Sequence, residues 1–243
     1  MSNIFSPEKI DVLILCGGRG KRLREIIKDR PKPMSDINGR PFLDVLIDYV
    51  ARSGFRRFLL CAGYKGEIIK RYYSYKCRPL NISILKESKP LGTAGAIKNA
   101  ESKIKSNPFL VMNGDSFCSL DLRKFINFHK EKKARFSMVL VKTETSKDYG
   151  VVDIDSSKRI ISFNEKSRAK RGDLINAGIY LFRRRILSVI EAKKRLSLEY
   201  DIFPKIVAEG FYGYVTTAKF IDIGTPDRYE KAKGVFKNVV RKS

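Results

Sequence analysis

Residues 12–16 (VLILC) form an unbroken apolar run, mostly β-branched or leucine, and Gly17, Gly18 and Gly20 follow it at once. A short apolar run bounded by glycine reads as a fully buried strand. Glycines packed this tightly let the backbone turn sharply and bring bare N–H groups against a ligand. Arg19, Lys21, Arg22 and Lys32 surround that turn with positive charge, and Lys32 stands between Pro31 and Pro33. A strand feeding a cationic glycine loop predicts a polyphosphate site. Two familiar phosphate loops are excluded by spacing. A P-loop needs two glycines five apart followed by Lys and Ser/Thr, and a dinucleotide fingerprint needs glycine at position 23, which is Leu23.

Downstream, strand and helix signals alternate. Phe42, Leu43, Leu46, Ile47 and Val50 give a helical apolar face, opened by Pro41 and closed by Gly54. Arg57–Ala62 and 82–85 read as strands on either side of a short helix at 67–73, and 109–112 as a further buried strand. This βαβα order predicts a parallel sheet with helices on both faces and ligands beyond the strand C-termini. Gly92 and Thr93 deliver a helix N-terminus, a second place attractive to anions. Asp115 follows Asn113 and Gly114 at the end of its strand. It is either a turn aspartate or, beside a triphosphate loop, the holder of a Mg²⁺ ion between carboxylate and phosphates.

The second half predicts a helix at 122–128 with the solitary His129 near its end, on the surface, where a cation suits the dipole. Strands follow at 136–141, at 149–152 paired with 160–163 around a turn, and at 175–180, where Gly178 permits close approach of a ligand. Helices are expected over 184–192 and 198–208, Pro204 forcing a kink or a break. Strands at 210–215 and 219–223 precede a last helix with Thr225 as N-cap, Pro226 at its first position and a stripe of Tyr229, Ala232, Phe236 and Val239.

Composition narrows the class. The 243 residues, 43% hydrophobic and 31% charged, suffice for one well-filled α/β core. No apolar run approaches the roughly 18 residues of a membrane span, and the first residues lack a signal-peptide pattern, so a cytoplasmic location is expected. Cys16, Cys61, Cys77 and Cys118 form no CxxC pair, which argues against zinc; Cys16 and Cys61 read as inert core thiols. The net charge of +24 would suit nucleic acid. Yet Lys and Arg are dispersed and no nucleic-acid-binding motif accompanies them, so no dedicated partner of that kind is expected.

LILCGGRGKRL and RPKPM, then PLGTAGA, NGD, YG, EK, NAG and DIGTP, resemble in order and spacing the sugar-phosphate nucleotidylyltransferases, which join a sugar 1-phosphate to the nucleoside monophosphate unit of an NTP. The resemblance runs from Val12 to about Tyr229, with Lys21 where most members carry Thr. It implies a single-domain α/β fold over 1–243: a mostly parallel twisted sheet flanked by helices, Rossmann-like and GT-A-like. Within it a nucleotide part covers about 10–120, a sugar-phosphate part about 121–225 and a C-terminal helix about 226–240.

Residue by residue, the resemblance implies that Leu15, Gly17, Gly18, Gly20, Glu87, Gly92 and Thr93 bind the nucleotide, Glu87 by accepting from the base. Arg22 would neutralise the β- and γ-phosphates and Lys32 the α-phosphate. Mg²⁺ would sit on Asp115 and Asp222, the latter otherwise a helix-start carboxylate. Tyr149, Gly150, Glu165, Lys166, Asn176 and Gly178 would form the sugar-phosphate side, with Lys166 on the 1-phosphate; taken singly, Glu165 and Lys166 are a surface charge pair. Details such as DRPKPMSDINGRPFLDVLIDYV and INAGIY most resemble the guanylyltransferases acting on D-glycero-α-D-manno-heptose 1-phosphate, which supply GDP-heptose for bacterial surface polysaccharides. Mannose-1-phosphate guanylyltransferases and glucose-1-phosphate thymidylyl- or uridylyltransferases share this skeleton. A non-catalytic sugar-nucleotide-binding subunit is the alternative of another class, and joint retention of Arg22, Lys32, Asp115 and Asp222 counts against it. The implied partners are an NTP, GTP first among them, and a sugar 1-phosphate; a homodimer is the default assembly.

Overall fold

The computed structural model describes residues 4–23, 26–75, 79–143, 149–165 and 169–240. Its strands are β1 (Asp11–Leu15), β2 (Asp36–Ile37), β3 (Arg40–Pro41), β4 (Arg57–Ala62), β5 (Asn81–Lys86), β6 (Phe109–Asn113), β7 (Ser116–Cys118), β8 (Phe136–Lys142), β9 (Val151–Ile154), β10 (Ile160–Asn164), β11 (Leu174–Phe182), β12 (Phe211–Thr216) and β13 (Phe220–Asp222). Its helices are α1 (Phe42–Arg52), α2 (Gly66–Ser74), α3 (Gly92–Asn99), α4 (Leu122–Glu131), α5 (Ile186–Val189), α6 (Phe203–Ile206) and α7 (Pro226–Val240).

The central sheet is mostly parallel and carries helices on both faces. β1 lies at its middle, parallel to β4 on one side and to β6 on the other, with β5 parallel to β4 beyond. Burial on two faces explains why β1, β4 and β6 read as largely apolar runs. Successive residues alternate between two cores. Val12, Ile14, Phe58, Leu60, Leu110 and Met112 join the layer with α1, α2 and α4, whereas Leu13, Leu59, Phe109 and Val111 join the layer with α3, α5 and α6. β11 then enters antiparallel to β6 and β8, while β12 closes the far edge parallel to β8. The β8–β11 register slips between Asn176 and Tyr180, and Gly178 there has φ +70°. A Cβ at Gly178 would lie 2.6 Å from Asn113 Nδ2, so the bulge keeps β11 close to the end of β6.

Four expectations need correction. His129 is not on the surface: it is fully buried, and its Nδ1 lies 2.8 Å from Ser137 Oγ on β8. Leu122, Phe125, Ile126 and His129 follow the i, i+3, i+4, i+7 spacing, which turns the imidazole inward with the rest of the stripe. The helix expected over 184–192 is α5 alone. The one over 198–208 is a π-turn at Leu198–Ile202 followed by α6, with Pro204 in the first turn of α6, where its missing N–H costs nothing. Finally, the strand at 219–223 is the short β13, which pairs antiparallel with β7 outside the main sheet. Cys77 and the side chain of Val239 lie outside the described residues.

Candidate active site

A cavity of about 680 Å³ opens beyond the C-terminal ends of β1, β4, β5 and β6. Leu15, Gly17, Gly18, Gly20, Glu87, Gly92 and Thr93 all line it, as do Lys32 and Asp115. The amides of Gly18, Arg19 and Gly20 donate to no group among the described residues. Gly17 is glycine for a packing reason: a Cβ there would lie 2.5 Å from Glu87 Oε1. Glu87 itself is buried, accepts from the Leu91 N–H at 3.1 Å, and has its pKa raised by burial. At the expected anion-attracting end of α3, the Ala94 and Gly95 amides donate to the Leu196 carbonyl. Thr93 Oγ1 turns the same way and donates to Glu199 Oε2 at 2.9 Å.

Lys32 Nζ lies 2.6 Å from Asp115 Oδ2, with the lysine side chain 12% exposed. Proline on both sides fixes the short turn that carries it, and the Gly20 backbone packs against its side chain. Asp222 does not line the cavity but adjoins Asp115: it stands opposite Ser116 in the β7–β13 ribbon, and the Ile223 amide donates to the Asp115 carbonyl at 3.0 Å. Asp222 Oδ1 accepts from Gly224 N at 2.7 Å and lies 3.3 Å from Arg228 Nη1; Oδ2 accepts from the Tyr149 hydroxyl. Two carboxylates on neighbouring strand ends, with cations already beside them, form an all-oxygen donor set. That set suits Mg²⁺ completed by phosphate oxygens and water.

The residues expected on the sugar-phosphate side form a connected layer. The Asn176 amide nitrogen donates to the Gly150 carbonyl, its Nδ2 donates to the Tyr180 hydroxyl at 2.8 Å, and its Oδ1 accepts from Gly178 N at 2.9 Å. A Cβ on Gly150 would overlap the Glu165 carboxylate. Burial, aided by nearby Glu199, pushes Glu165 up to about 7. Tyr149 is half-buried and faces Asp222. Lys166 lies outside the described residues. Arg22 is exposed, in the turn just after Gly20, and does not line the cavity.

Arg195, Lys89, Tyr64 and Asn113 line the cavity without having been singled out from the sequence. Asn113 was in view as the strand end before Asp115. Arg195 carries no local signal; its segment reaches the cavity because Leu196 N donates to the Leu91 carbonyl. A larger cavity of about 960 Å³, between the 29–41 segment and α2, contains none of the predicted site residues. Size is a weaker guide than the convergence of glycine amides, lysine and carboxylate.

Comparison with known proteins identifies the family. The chain matches the model of the family described as nucleotidyl transferase over residues 11–237. It is 36% identical over 225 residues to the D-glycero-alpha-D-manno-heptose 1-phosphate guanylyltransferase of Aneurinibacillus thermoaerophilus, covering 92% of this chain and 97% of that protein. It is 33% identical over 229 residues to the mannose-1-phosphate guanylyltransferase of Mycobacterium tuberculosis, covering 93% of this chain but 64% of that relative. Among solved structures, HddC from Yersinia pseudotuberculosis complexed with GMP-PN aligns with a TM-score of 0.82 at 37% identity, covering 93% of this chain and 99% of the other. Matched over nearly its whole length, the chain belongs to the nucleotidyl transferase family.

Proposed function

We propose that the protein transfers a guanylyl group from GTP to D-glycero-α-D-manno-heptose 1-phosphate, giving GDP-heptose and pyrophosphate. The observation that carries this reading is the meeting of Asp115 and Asp222 beside Lys32, at a cavity lined by the glycine loop. An oxygen of the sugar 1-phosphate attacks the α-phosphorus of GTP in line; the new O–P bond forms as the bond to the β-phosphate bridging oxygen breaks. The nucleophile is already anionic, so no side chain needs to deprotonate it. Catalysis is then positioning and charge neutralisation.

In this reading the open amides of the glycine loop take phosphate oxygens, and Lys32 moves from Asp115 onto the α-phosphate. Arg22 gathers the departing pyrophosphate, and Glu87 accepts hydrogen bonds from guanine. Glu165 and Asn176 hold sugar hydroxyls, and Lys166 meets the incoming phosphate. Asp115 and Asp222 would hold Mg²⁺, which when bound supplies Lewis-acid charge at the α-phosphoryl group. Guanine and heptose are supported by the relatives' activities and by near-complete mutual coverage. We place the reaction in the cytoplasm and its product in surface-polysaccharide synthesis.

Pyrophosphate release across four NTPs and a set of sugar 1-phosphates tests this directly. The highest kcat/KM is expected for GTP with the heptose 1-phosphate; no release with any pair would overturn the reading. Mannose 1-phosphate is the second candidate, favoured by the mycobacterial relative. Both sugars share the manno ring, so the ratio of their kcat/KM values separates the two.

A further inference from the structure

Asp222 is held from three sides, and one of its holders has no part in the reaction above. The Gly224 amide and the Tyr149 hydroxyl donate to its two oxygens, and Arg228 Nη1 lies 3.3 Å from Oδ1. The Arg228 guanidinium also stacks 4.7 Å from the centroid of the Tyr149 ring, so the two side-chain holders support one another. The Arg228 side chain is 25% exposed and that of Asp222 12%. Asp115 has a matching partner in Lys32. Gly224 joins the pairs: a Cβ there would lie 3.7 Å from both Arg228 Nη1 and Lys32 Nζ. Two carboxylates and two cations thus share one small, half-sheltered space, and their charges cancel.

A divalent cation approaching Asp222 enters the field of Arg228, which repels it and competes for the same oxygen. A triphosphate changes the balance: it draws Lys32 away from Asp115 and adds anionic oxygens of its own. We propose that Arg228 is a positioning residue and resident counter-charge for Asp222, keeping the empty site from taking up a divalent cation until the nucleotide brings one. The inference rests on the reading of Asp222 as a cation ligand.

Mn²⁺ titration of the nucleotide-free protein, followed by loss of the free-ion electron paramagnetic resonance signal, tests it. Arg228→Gln is expected to bind Mn²⁺ at least threefold tighter than wild type, or measurably where wild type shows no binding. Arg228→Lys, which keeps the charge, is expected within twofold of wild type. A purely structural arginine would give the opposite ordering, with the glutamine variant weaker. Should Arg228→Gln not fold by its thermal melt, Arg228→Met carries the same expectation. Affinity unchanged or weakened in the neutral variant, or no binding in either protein, overturns the proposal. Asp222→Asn separates the two layers of the argument. If it abolishes Mn²⁺ binding while Arg228→Gln leaves affinity unchanged, the arginine's role alone falls. If the double variant Asp222→Asn, Arg228→Gln binds Mn²⁺ as tightly as Arg228→Gln alone, the ligand reading itself fails.

Discussion

His129 makes the stability of this fold acid-sensitive in a way that one substitution can isolate. Its imidazole is fully buried, bonded through Nδ1 to Ser137, and burial together with nearby Arg183 lowers its pKa from 6.5 to about 3. The native state therefore holds it neutral, while the unfolded chain takes up a proton below pH 6.5. Stability from this group is complete above pH 6.5 and is lost as pH falls from there toward 3. At about 1.4 kcal/mol per pKa unit, the loss reaches about 2 kcal/mol at pH 5 and about 5 kcal/mol near pH 3. His129→Gln keeps a hydrogen-bonding end toward Ser137 and removes the titration. Urea unfolding of both proteins at pH 7.5 and pH 5.0 supplies the comparison, since carboxylates common to both cancel. The wild type should lead at pH 7.5, and its lead should shrink by about 2 kcal/mol at pH 5.0. A lead constant to within about 0.5 kcal/mol would show that the imidazole is not held neutral, and the reasoning would fail.

Two further outcomes follow from the site. Asp115→Ala and Arg22→Ala should each lower kcat by about 10²-fold or more, as for one lost charge-stabilising group; turnover within tenfold of wild type would remove that residue from the proposed chemistry. Arg22 is the sharper case because its side chain is exposed and off the cavity wall. Glycine substitutions should split by position. A Cβ on Gly18 meets nothing within 4 Å, so Gly18→Ala should leave the melting temperature unchanged while raising the KM for GTP. Gly178→Ala faces a positive φ and an Asn113 contact of 2.6 Å, and should cost about 1–3 kcal/mol by denaturant unfolding. Equal melting temperatures for the two variants would refute the distinction.

The cavity at the strand ends was legible because its parts are local. A buried strand, a glycine turn and a lysine between prolines are contiguous signals, and the seven residues assigned to the nucleotide from sequence all line one cavity. His129 was equally legible and misread: weighing its place at a helix end above its place on the apolar stripe put it outside, whereas periodicity over seven residues is the stronger signal. The 184–208 region failed for another reason. Its apolar residues pack against α3 and β11 through two four-residue helices and a π-turn, and no propensity pattern specifies so irregular a path. Arg195 reaches the cavity only as a consequence of that path.

The hardest element to read was the ribbon that brings Asp222 to Asp115. β7 and β13 are three residues each, too short to show alternation, and they pair outside the main sheet. Yet this ribbon sets Asp222 beside Asp115, and α7 begins shortly after it, so Arg228 in its first turn faces the Asp222 carboxylate. Sequence order supplied each aspartate separately; only tertiary pairing brings them side by side. The same logic sets the order of events. On the proposed reading, carboxylates already neutralised by Lys32 and Arg228 attract a free divalent cation weakly until a triphosphate draws Lys32 away and adds oxygens of its own.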